Sequence, residues 1–302
     1  MSTTTLALPQ RRTALLARAW DYLELTKPRI AVLIMVVLAA TMFVATWGQL
    51  NPLVMLHTMF GTLLVAASAS ASNQWIERHR DARMPRTADR PLPAGRLLPW
   101  EVAAFAALLL VGGLAYLGLM LDSSTAAWGA LTWALYVLLY TPLKPLTSAN
   151  TAVGAVAGAL PVLIGWSATG AALDERAAAL FLIVFLWQFP HFMAIAWLYR
   201  QQYARAGHKM LTVVDPTGRR AGWQAVLAAL ALVPVSIVPV LHSADWGGAA
   251  YGFAAAGLGL AQLSVAVWFF VAISETSARW LLRASLIYLP VLLALLMLVP
   301  WL

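Results

Sequence analysis

Three oxygen-bearing side chains are evenly spaced at the end of an apolar segment. Asn73, Glu77 and Asp81 follow one another at intervals of four residues. On an α-helix each such step rises about 6 Å and turns about 40°, so the spacing predicts that all three lie along one stripe. Oxygen ligands suit Mg²⁺, which keeps several waters and bridges carboxylates to substrate phosphates. From the spacing alone, a polar helix end that faces headgroup water is an equal alternative.

An arginine-rich loop follows this stripe directly. Several prolines end the helix and constrain the loop, which carries Arg83, Arg86 and Arg90. Guanidinium groups bind phosphate oxygens bidentately. A cation cluster beside an acidic metal stripe therefore matches a diphosphate ester, because both would stabilise the charge that builds on a leaving diphosphate. The alternative is a loop that only fixes membrane topology or binds anionic lipid.

The elements that must position these groups are membrane-spanning helices. The chain has 302 residues, of which 62% are hydrophobic and 11% charged, whereas soluble domains carry about a quarter charged residues. That composition excludes an ordinary water-soluble globule. Cysteine is absent, which excludes disulfides, zinc–thiolate sites, iron–sulfur clusters and thiol catalysis. Apolar stretches of roughly 17–25 residues are long enough to span a bilayer, and they occur near 28–47, 53–74, 99–121, 125–142, 150–170, 177–199, 222–242, 246–272 and 280–300.

These stretches predict an all-α polytopic bundle of about nine transmembrane helices. We divide the chain into an N-terminal segment, 1–27, and a single intramembrane domain, 28–302. Of the 20 Lys and Arg residues, all but Arg176 lie on segments that would share one face of the membrane. The positive-inside rule predicts that this face, with the N-terminus, is cytoplasmic. The opposite loops contain a few residues that we interpret as solvated turn residues, namely Asp122, Asp174, Glu175, His242 and Asp245.

The motif that begins at Asn73 resembles a known family. Asn73-x3-Glu77-x3-Asp81, followed by Met84-x-Arg86-Thr87-x2-Arg90-Pro91-Leu92-Pro93-x-Gly95, resembles the first acidic motif of the UbiA-type intramembrane prenyltransferases. Within that superfamily, the chain is similar to the protoheme IX farnesyltransferases, or haem O synthases. The similarity extends over nearly the whole chain through strings in Tyr22–Arg29, Tyr140–Lys144, Gly154–Trp166, Trp187–Phe192, Tyr203–Leu211 and Ala284–Leu289.

The resemblance implies both a fold and a reaction. The fold is a nine-helix membrane bundle around a lipid-accessible cavity. The reaction transfers farnesyl from farnesyl diphosphate to the vinyl group of haem b, with water adding, and gives haem o and diphosphate. We therefore expect Mg²⁺ as cofactor, farnesyl diphosphate, haem b and the bilayer as partners, and haem A synthase or a terminal oxidase pathway downstream. No nucleic acid is expected. The short N-terminal segment favours a bacterial inner membrane over a mitochondrial one.

The chain departs from the family at the second acidic motif. Haem O synthases generally show an acidic residue just before the tyrosine that is Tyr203 here, and this chain has Gln202. An amide oxygen can bind a hard cation, but the missing negative charge should weaken a second Mg²⁺ site. Two outcomes are compatible with this loss of charge: a single tightly bound Mg²⁺ assisted by nearby cations, or reduced activity. Asp215 is the next carboxylate and either substitutes or is a turn residue.

The remaining candidates lie on other helices. His191 lies in the sixth span, where an ionisable residue is a functional hypothesis by default. It could contact a haem propionate, bind iron or accept a proton, or it is a structural histidine bonded to a neighbouring helix. Lys144 could pair with diphosphate or a propionate, and Asn150 could cap the fifth span or line the cavity. Arg200 and Tyr203 complete the predicted substrate-binding set.

Three other functions stay open at this point. The first is a prenyltransferase of the same superfamily with another acceptor, such as a quinone precursor or a chlorin. The second is a transporter or lipid-binding membrane protein, which would need charged groups near the bilayer midplane. The third is a non-catalytic haem-binding homologue, which Gln201 and Gln202 suggest.

Overall fold

The computed structural model describes residues 8–241 and 246–301, with side chains described from residue 15 onward. Residues 1–7, 242–245 and 302 lie outside this description, and with them the predicted turn residues His242 and Asp245. The side chains of Arg11 and Arg12, which contribute to the predicted cytoplasmic charge, are also outside it.

The described residues are helical and contain no strand. In chain order the elements are α1 (Leu8–Leu25), α2 (Pro28–Thr46), α3 (Pro52–Asp81), α4 (Pro99–Met120), α5 (Ser123–Ala134), a π-helix (Leu135–Tyr140), α6 (Thr141–Leu143), α7 (Asn150–Ala168), α8 (Glu175–Leu198), α9 (Arg200–Arg205), α10 (Leu211–Val214), α11 (Arg219–Val235), a 3₁₀ turn (Val238–Val240), α12 (Trp246–Val271), α13 (Glu275–Leu298) and a last 3₁₀ turn (Val299–Trp301).

Nine helices among the described residues are long and apolar enough to cross a membrane. They confirm the predicted all-α bundle, and their ends lie within a few residues of most predicted ends. The fourth span, Ser123–Leu143, is composite, because α5 passes through the π-helix into α6. Lipid offers no hydrogen-bond partner to backbone groups, so each span satisfies them internally.

Three helices, α3, α5 and α8, begin at the same end of the bundle with a side-chain cap. Asn51 Oδ1 accepts from Leu53 N at 2.9 Å at the start of α3. Asp122 and Asp174 each accept two backbone N–H groups at the starts of α5 and α8. These two aspartates, which we interpret as turn residues from the sequence, therefore satisfy helix donors that would otherwise lack a partner.

The first and last spans meet, which closes the bundle. α2 packs against α3, α7 and α13, while α8 packs against α7, α11 and α13. The largest hydrophobic cluster joins these helices through side chains that include Val37, Ala159, Trp187 and Tyr288. The starts of α2, α4 and α7 and the ends of α3, α6 and α8 consequently lie at one end of the bundle, which we call the site end.

The helix α1 is fastened to the site end by ion pairs. Arg96, in the loop between α3 and α4, donates to Asp21 at 2.6 Å and to Glu24 at 2.7 Å. Arg18 of α1 pairs with Glu101 at the start of α4. The N-terminal helix therefore lies beside the loop that carries the predicted diphosphate-binding arginines.

Gly113 lies at the contact between α4 and α3. A Cβ there would be 2.9 Å from Val65 Cγ2 and 3.1 Å from Val65 N, whereas a Cβ at the adjacent Gly112 meets nothing within 4 Å. We expect Gly113→Ala to lower the melting temperature of the detergent-solubilised protein, because overpacking costs about 1–3 kcal/mol.

The matched control for this variant is Gly112→Ala on the same helix. It should leave the melting temperature unchanged or raise it slightly, because glycine in a helix interior costs about 1 kcal/mol relative to alanine. Equal melting temperatures for the two variants would contradict the close approach of α3 and α4.

Candidate active site

The three predicted metal ligands lie on one buried stripe of α3. Asn73, Glu77 and Asp81 are only 1%, 4% and 1% exposed, although α3 ends at Asp81. Asn73 Nδ2 donates to Glu77 Oε2 at 2.9 Å, which is the contact that four-residue spacing allows. Buried carboxylates need charged or hydrogen-bonded partners, so the partners decide what this stripe can do.

Each carboxylate is paired with a cation from another segment. Lys144 Nζ lies 2.8 Å from Glu77 Oε2, and Arg90 Nη1 lies 2.7 Å from Asp81 Oδ2. Burial by itself would lower the pKa of Lys144, but the charge and hydrogen bond of Glu77, together with Tyr140 and Tyr136, raise that pKa above its usual value. Lys144 is therefore a permanent cation beside the stripe.

Lys27 is a third basic side chain at this stripe and was not among the predicted site residues. Its Nζ donates to Asn73 Oδ1 at 2.9 Å. Burial, with repulsion from Arg90 and Lys144, lowers the pKa of Lys27 to about 7. Its backbone is left-handed, with φ at 50°, a conformation that costs an L-residue roughly 1–2 kcal/mol. In the sequence, Lys27 was marked only as part of the family-like string Tyr22–Arg29, directly before the proline that begins α2.

The π-helix brings α6 to the stripe. Thr141 Oγ1 donates to Tyr136 O, five residues back, at 2.8 Å, and accepts from Asn73 Nδ2 at 3.1 Å. Lys144 Nζ lies 4.6 Å from the ring centre of Tyr140. π-helical turns are rare and occur frequently at functional sites, and this one positions two partners of the acidic stripe.

The predicted arginines of the α3–α4 loop have different surroundings. Arg90 pairs with Asp81, as described. Arg86 reaches the segment after α8, where Nη2 lies 3.2 Å from Tyr203 Oη and the guanidinium lies 4.5 Å from the Tyr199 ring centre. The side chain of Arg83 is exposed and makes no hydrogen bond or ion pair with the described residues. The structure thus brings Arg86, Arg90 and Tyr203 to the site and leaves Arg83 at its rim.

Three buried acceptor atoms of the site have no partner in the described part of the chain. They are Glu77 Oε1, Gln202 Oε1 and His208 Nδ1. His208 is 3% exposed and packs edge-on against Tyr203. Burial lowers the pKa of His208 to about 4, against the opposing charge of Glu77, so the ring is neutral at neutral pH. No sequence signal had marked His208, because a single histidine in a loop carries no spacing.

Two predicted substrate-binding residues point elsewhere. Arg200 Nη1 donates to Trp197 O at 2.8 Å, and its guanidinium lies over the Trp197 ring. Asn150 is buried and its Nδ2 donates to Thr147 O at 2.5 Å and to Lys209 O at 3.4 Å. Asn150 therefore ties the start of α7 to the loop after α9, and Arg200 covers the end of α8.

Asp215, the alternative carboxylate of the second motif, is a capping residue. Its carboxylate accepts from Thr217 N at 3.2 Å and from Arg220 N at 2.8 Å. The hydrogen bonds from Thr217 and Arg220 lower the pKa of Asp215. Asp215 thus follows α10 and holds the turn that leads into α11, and its carboxylate is engaged there.

His191 lies on α8 beside α13. Its Nδ1 is 3.0 Å from Ser285 Oγ, and its ring stacks on Trp187. His191 is seven residues from the end of α8, and Asn73 is eight residues from the end of α3. At 1.5 Å per residue both lie about 10–12 Å from the site end.

The donor set fits a magnesium ion that is shared with a substrate. No three His, Cys, Asp or Glu side chains converge as a metal site within residues 8–241 and 246–301. The stripe instead offers two carboxylates and the amide oxygen of Asn73. All three side chains offer oxygen ligands, and the buried Glu77 Oε1 has no hydrogen-bond partner among the described residues. Mg²⁺ is typically held by one or two carboxylates plus substrate phosphates, so this set is sufficient.

Comparison with known sequences gives one consistent result. The model of the UbiA prenyltransferase family matches residues 32–289. A protoheme IX farnesyltransferase of Solibacter usitatus (strain Ellin6076) is 42% identical over 287 residues, which cover 92% of this chain and 98% of that protein. The protein of the same name from Rhodopirellula baltica is 43% identical and covers 90% of this chain and 96% of that protein.

Solved structures share the fold. A digeranylgeranylglyceryl phosphate synthase superposes with a TM-score of 0.76 at 17% identity, covering 94% of this chain and 99% of that one. A UbiA homologue from Archaeoglobus fulgidus, bound to GPP and Mg²⁺, superposes with a TM-score of 0.66 at 14% identity, covering 93% of this chain and 100% of that one.

We expect Lys144→Met to lower the melting temperature strongly in detergent. The change leaves the Glu77 charge buried without its cation, and breaking a buried pair costs about 3–5 kcal/mol. The double variant Lys144→Met/Glu77→Gln removes both charges and should recover much of the loss. Thermal melting of the purified variants measures both effects.

The control for this measurement is Arg279→Met. Arg279 and Glu275 form a pair whose side chains are 63% and 57% exposed, and exposed pairs contribute about 0–1 kcal/mol. If Lys144→Met melts at the same temperature as Arg279→Met, the Glu77–Lys144 pair contributes no more to stability than an exposed ion pair does.

Proposed function

The chain belongs to the UbiA prenyltransferase family, and we propose that it transfers farnesyl from farnesyl diphosphate to the vinyl group of haem b, with addition of water, giving haem o and diphosphate. The observation that carries this proposal is the buried stripe of Asn73, Glu77 and Asp81 with its surrounding cations at the boundary of an integral membrane bundle. The name shared by relatives about 40% identical over nearly the whole chain supports haem b as acceptor. We treat 28–302 as one prenyltransferase domain that follows the segment 1–27.

We assign the catalytic metal to Asn73, Glu77 and Asp81. Mg²⁺ bound there would neutralise charge on the diphosphate. The amide of Gln202 would contribute only weakly to a second ion, because it carries no charge. Arg200 and Asn150 have a structural role in this proposal: Arg200 packs on the end of α8, and Asn150 ties the start of α7 to the loop after α9.

The cations of the chain would bind the diphosphate. Arg86 already reaches between the α3–α4 loop and Tyr203, and Arg83 at the rim is free to turn toward phosphate oxygens. Arg90 and Lys144 stay close through their pairs with Asp81 and Glu77. As the allylic C–O bond breaks, negative charge builds on the leaving diphosphate, and fixed positive charge lowers the energy of that state.

The bundle would protect the farnesyl cation that this cleavage leaves. The helices behind the stripe are apolar, and excluding bulk water prevents premature quenching. The vinyl group of haem b then forms a carbon–carbon bond to the farnesyl cation. The resulting carbocation beside the porphyrin takes one water, which releases a proton. We assign His191, which lies about as many residues from the end of α8 as Asn73 does from the end of α3, to the haem side of the site.

We also infer the location of the enzyme. The site end carries nearly all Lys and Arg residues, and the positive-inside rule places such an end on the cytoplasmic side. A bacterial inner membrane fits the organisms of the named relatives. The product would then pass to haem A synthase or directly to a terminal oxidase.

Asp81→Asn should reduce haem o formation by about a hundredfold or more, because it removes a charged ligand of the Mg²⁺ that would neutralise the leaving diphosphate, and loss of one such stabilising group has effects of that size. The assay expresses the variant in cells that lack their own haem O synthase, then extracts and separates the haems. Asp89→Asn, an exposed change in the same loop, is the control and should leave haem o unchanged.

Two outcomes of this assay would contradict the proposal. Wild-type levels of haem o from Asp81→Asn would show that the acidic stripe does not take part in the reaction. A prenylated product other than haem o from the unmodified chain would assign a different acceptor.

Gln202→Glu should lower the Mg²⁺ concentration for half-maximal diphosphate release several-fold, because a carboxylate adds a negative charge next to the site. The measurement is diphosphate release from membranes at graded Mg²⁺. Gln201→Glu, on an exposed neighbour, should leave the Mg²⁺ dependence as it is. The same dependence in Gln202→Glu and the unmodified chain would show that residue 202 does not reach the metal.

A further inference from the structure

Ser285 Oγ lies within hydrogen-bond distance of two partners, one on its own helix and one on α8. It donates to Leu282 O at 2.7 Å, and a serine hydroxyl has only one proton to donate. With its proton on Leu282 O, the same oxygen is an acceptor for His191 Nδ1 at 3.0 Å. In that arrangement Nδ1 carries the proton, and in the neutral ring Nε2 has a free lone pair.

The plane of the His191 ring is fixed as well. Trp187 stacks on it with ring centres 5.2 Å apart and planes 25° from parallel. Trp187 Nε1 donates to Ser285 O at 2.6 Å. Both aromatic side chains are thus tied to the same residue of α13, one through its hydroxyl and the other through its carbonyl.

His191 lies where α8 meets α7 and α13. Gln188 lies one turn earlier on α8 and donates to Ala155 O of α7 at 2.9 Å, while His191 bonds α13. The face of α8 that carries these two residues therefore lies toward α7 and α13, the helices against which α2 also packs. His191 is partly accessible, and its Nε2 makes no hydrogen bond with the described residues.

We propose that Ser285 is a positioning residue that presents Nε2 of His191 as an axial ligand to the iron of the haem acceptor. The inference rests on the proposed function, since it needs haem as substrate. Neutral imidazole is a common ligand of haem iron, and histidines that bind metals almost always donate their other N–H to an oxygen acceptor. One Fe–N bond forms, no bond breaks, and no electron or proton is transferred.

The proposed Fe–N bond would hold the haem acceptor at a defined depth in the helix bundle. His191 and Asn73 lie about equally far from the site end, so a haem held by its iron would present its edge at the level of the acidic stripe. Iron ligation would thereby hold the vinyl group where the farnesyl cation forms. Ser285 and Trp187 would set the angle of the macrocycle through the His191 ring.

The experiment titrates the purified chain in detergent with ferric haem b and, separately, with iron-free protoporphyrin IX. We expect an absorption spectrum of imidazole-ligated haem and an affinity for haem b at least about tenfold above that for protoporphyrin IX, since one coordinate bond distinguishes them. In His191→Ala that spectrum should disappear, the two affinities should become equal, and added imidazole should restore the spectrum. An unchanged spectrum in His191→Ala overturns the inference.

Ser285→Ala tests the positioning role. It should weaken haem b binding several-fold and leave protoporphyrin IX binding as it was, and Ser285→Thr, which keeps a hydroxyl, should restore haem binding. Ser264→Ala is the matched control, because the exposed Ser264 Oγ also donates to a carbonyl three residues back, at 2.8 Å. Equal weakening for both porphyrins in Ser285→Ala would show a structural role only and would overturn the inference.

The same variants separate this inference from the proposed function. If the unmodified chain forms haem o in cells while His191→Ala keeps the ligated spectrum, only the inference fails. If the unmodified chain binds haem b through His191 but forms no haem o, the proposed reaction fails and the ligand assignment stands.

Discussion

Carboxylates buried at the end of a membrane helix require cations, and here those cations come from distant segments. Glu77 is paired with Lys144 and Asp81 with Arg90, while Lys27 binds Asn73. Such pairs add little net stability, because desolvation offsets their attraction, but losing one partner is expensive. The main effect of these ion pairs is therefore to fix how the segments that carry them are arranged. The start of α2, the end of α3, the arginine loop and the residue after α6 must come together for all of these contacts to form.

The same set of contacts makes the site electropositive. Arg90 and Lys144 balance the two carboxylates, and Lys27, whose pKa is lowered to about 7, is protonated in part at neutral pH. Arg86 adds a further positive charge where it contacts Tyr199 and Tyr203. A cleft of one sign with apolar walls concentrates ligands of the opposite sign. A diphosphate carried on an apolar chain satisfies both halves of this environment, because its head matches the cations and its tail matches the helices. Neither a neutral lipid nor a free phosphate matches both.

Sequence patterning predicts the fold well and the site only in part. Hydropathy alone locates the nine spans, because bilayer thickness sets their length, and four-residue spacing correctly predicts that Asn73, Glu77 and Asp81 share a buried stripe. Contacts between segments are not periodic and leave no pattern along the chain. The sequence therefore does not assign Lys27 to the site and leaves His208 as a structural or solvated residue, and Arg200, a predicted substrate-binding residue, packs on Trp197. The direction of the Ser285 hydrogen bond depends on a neighbouring carbonyl, which no single-residue argument supplies.

The π-helix within the fourth span sets the direction in which the residues after it face. A π-turn accommodates one residue more than an α-helical turn would. If the same six residues, Leu135–Tyr140, were wound as ordinary α-helix, everything after them would rotate by about 100°. Lys144 would then leave Glu77, and Thr141 would leave Asn73. Deleting one of these six residues should consequently be tolerated, because the segment could close as α-helix while α6 keeps nearly the same orientation.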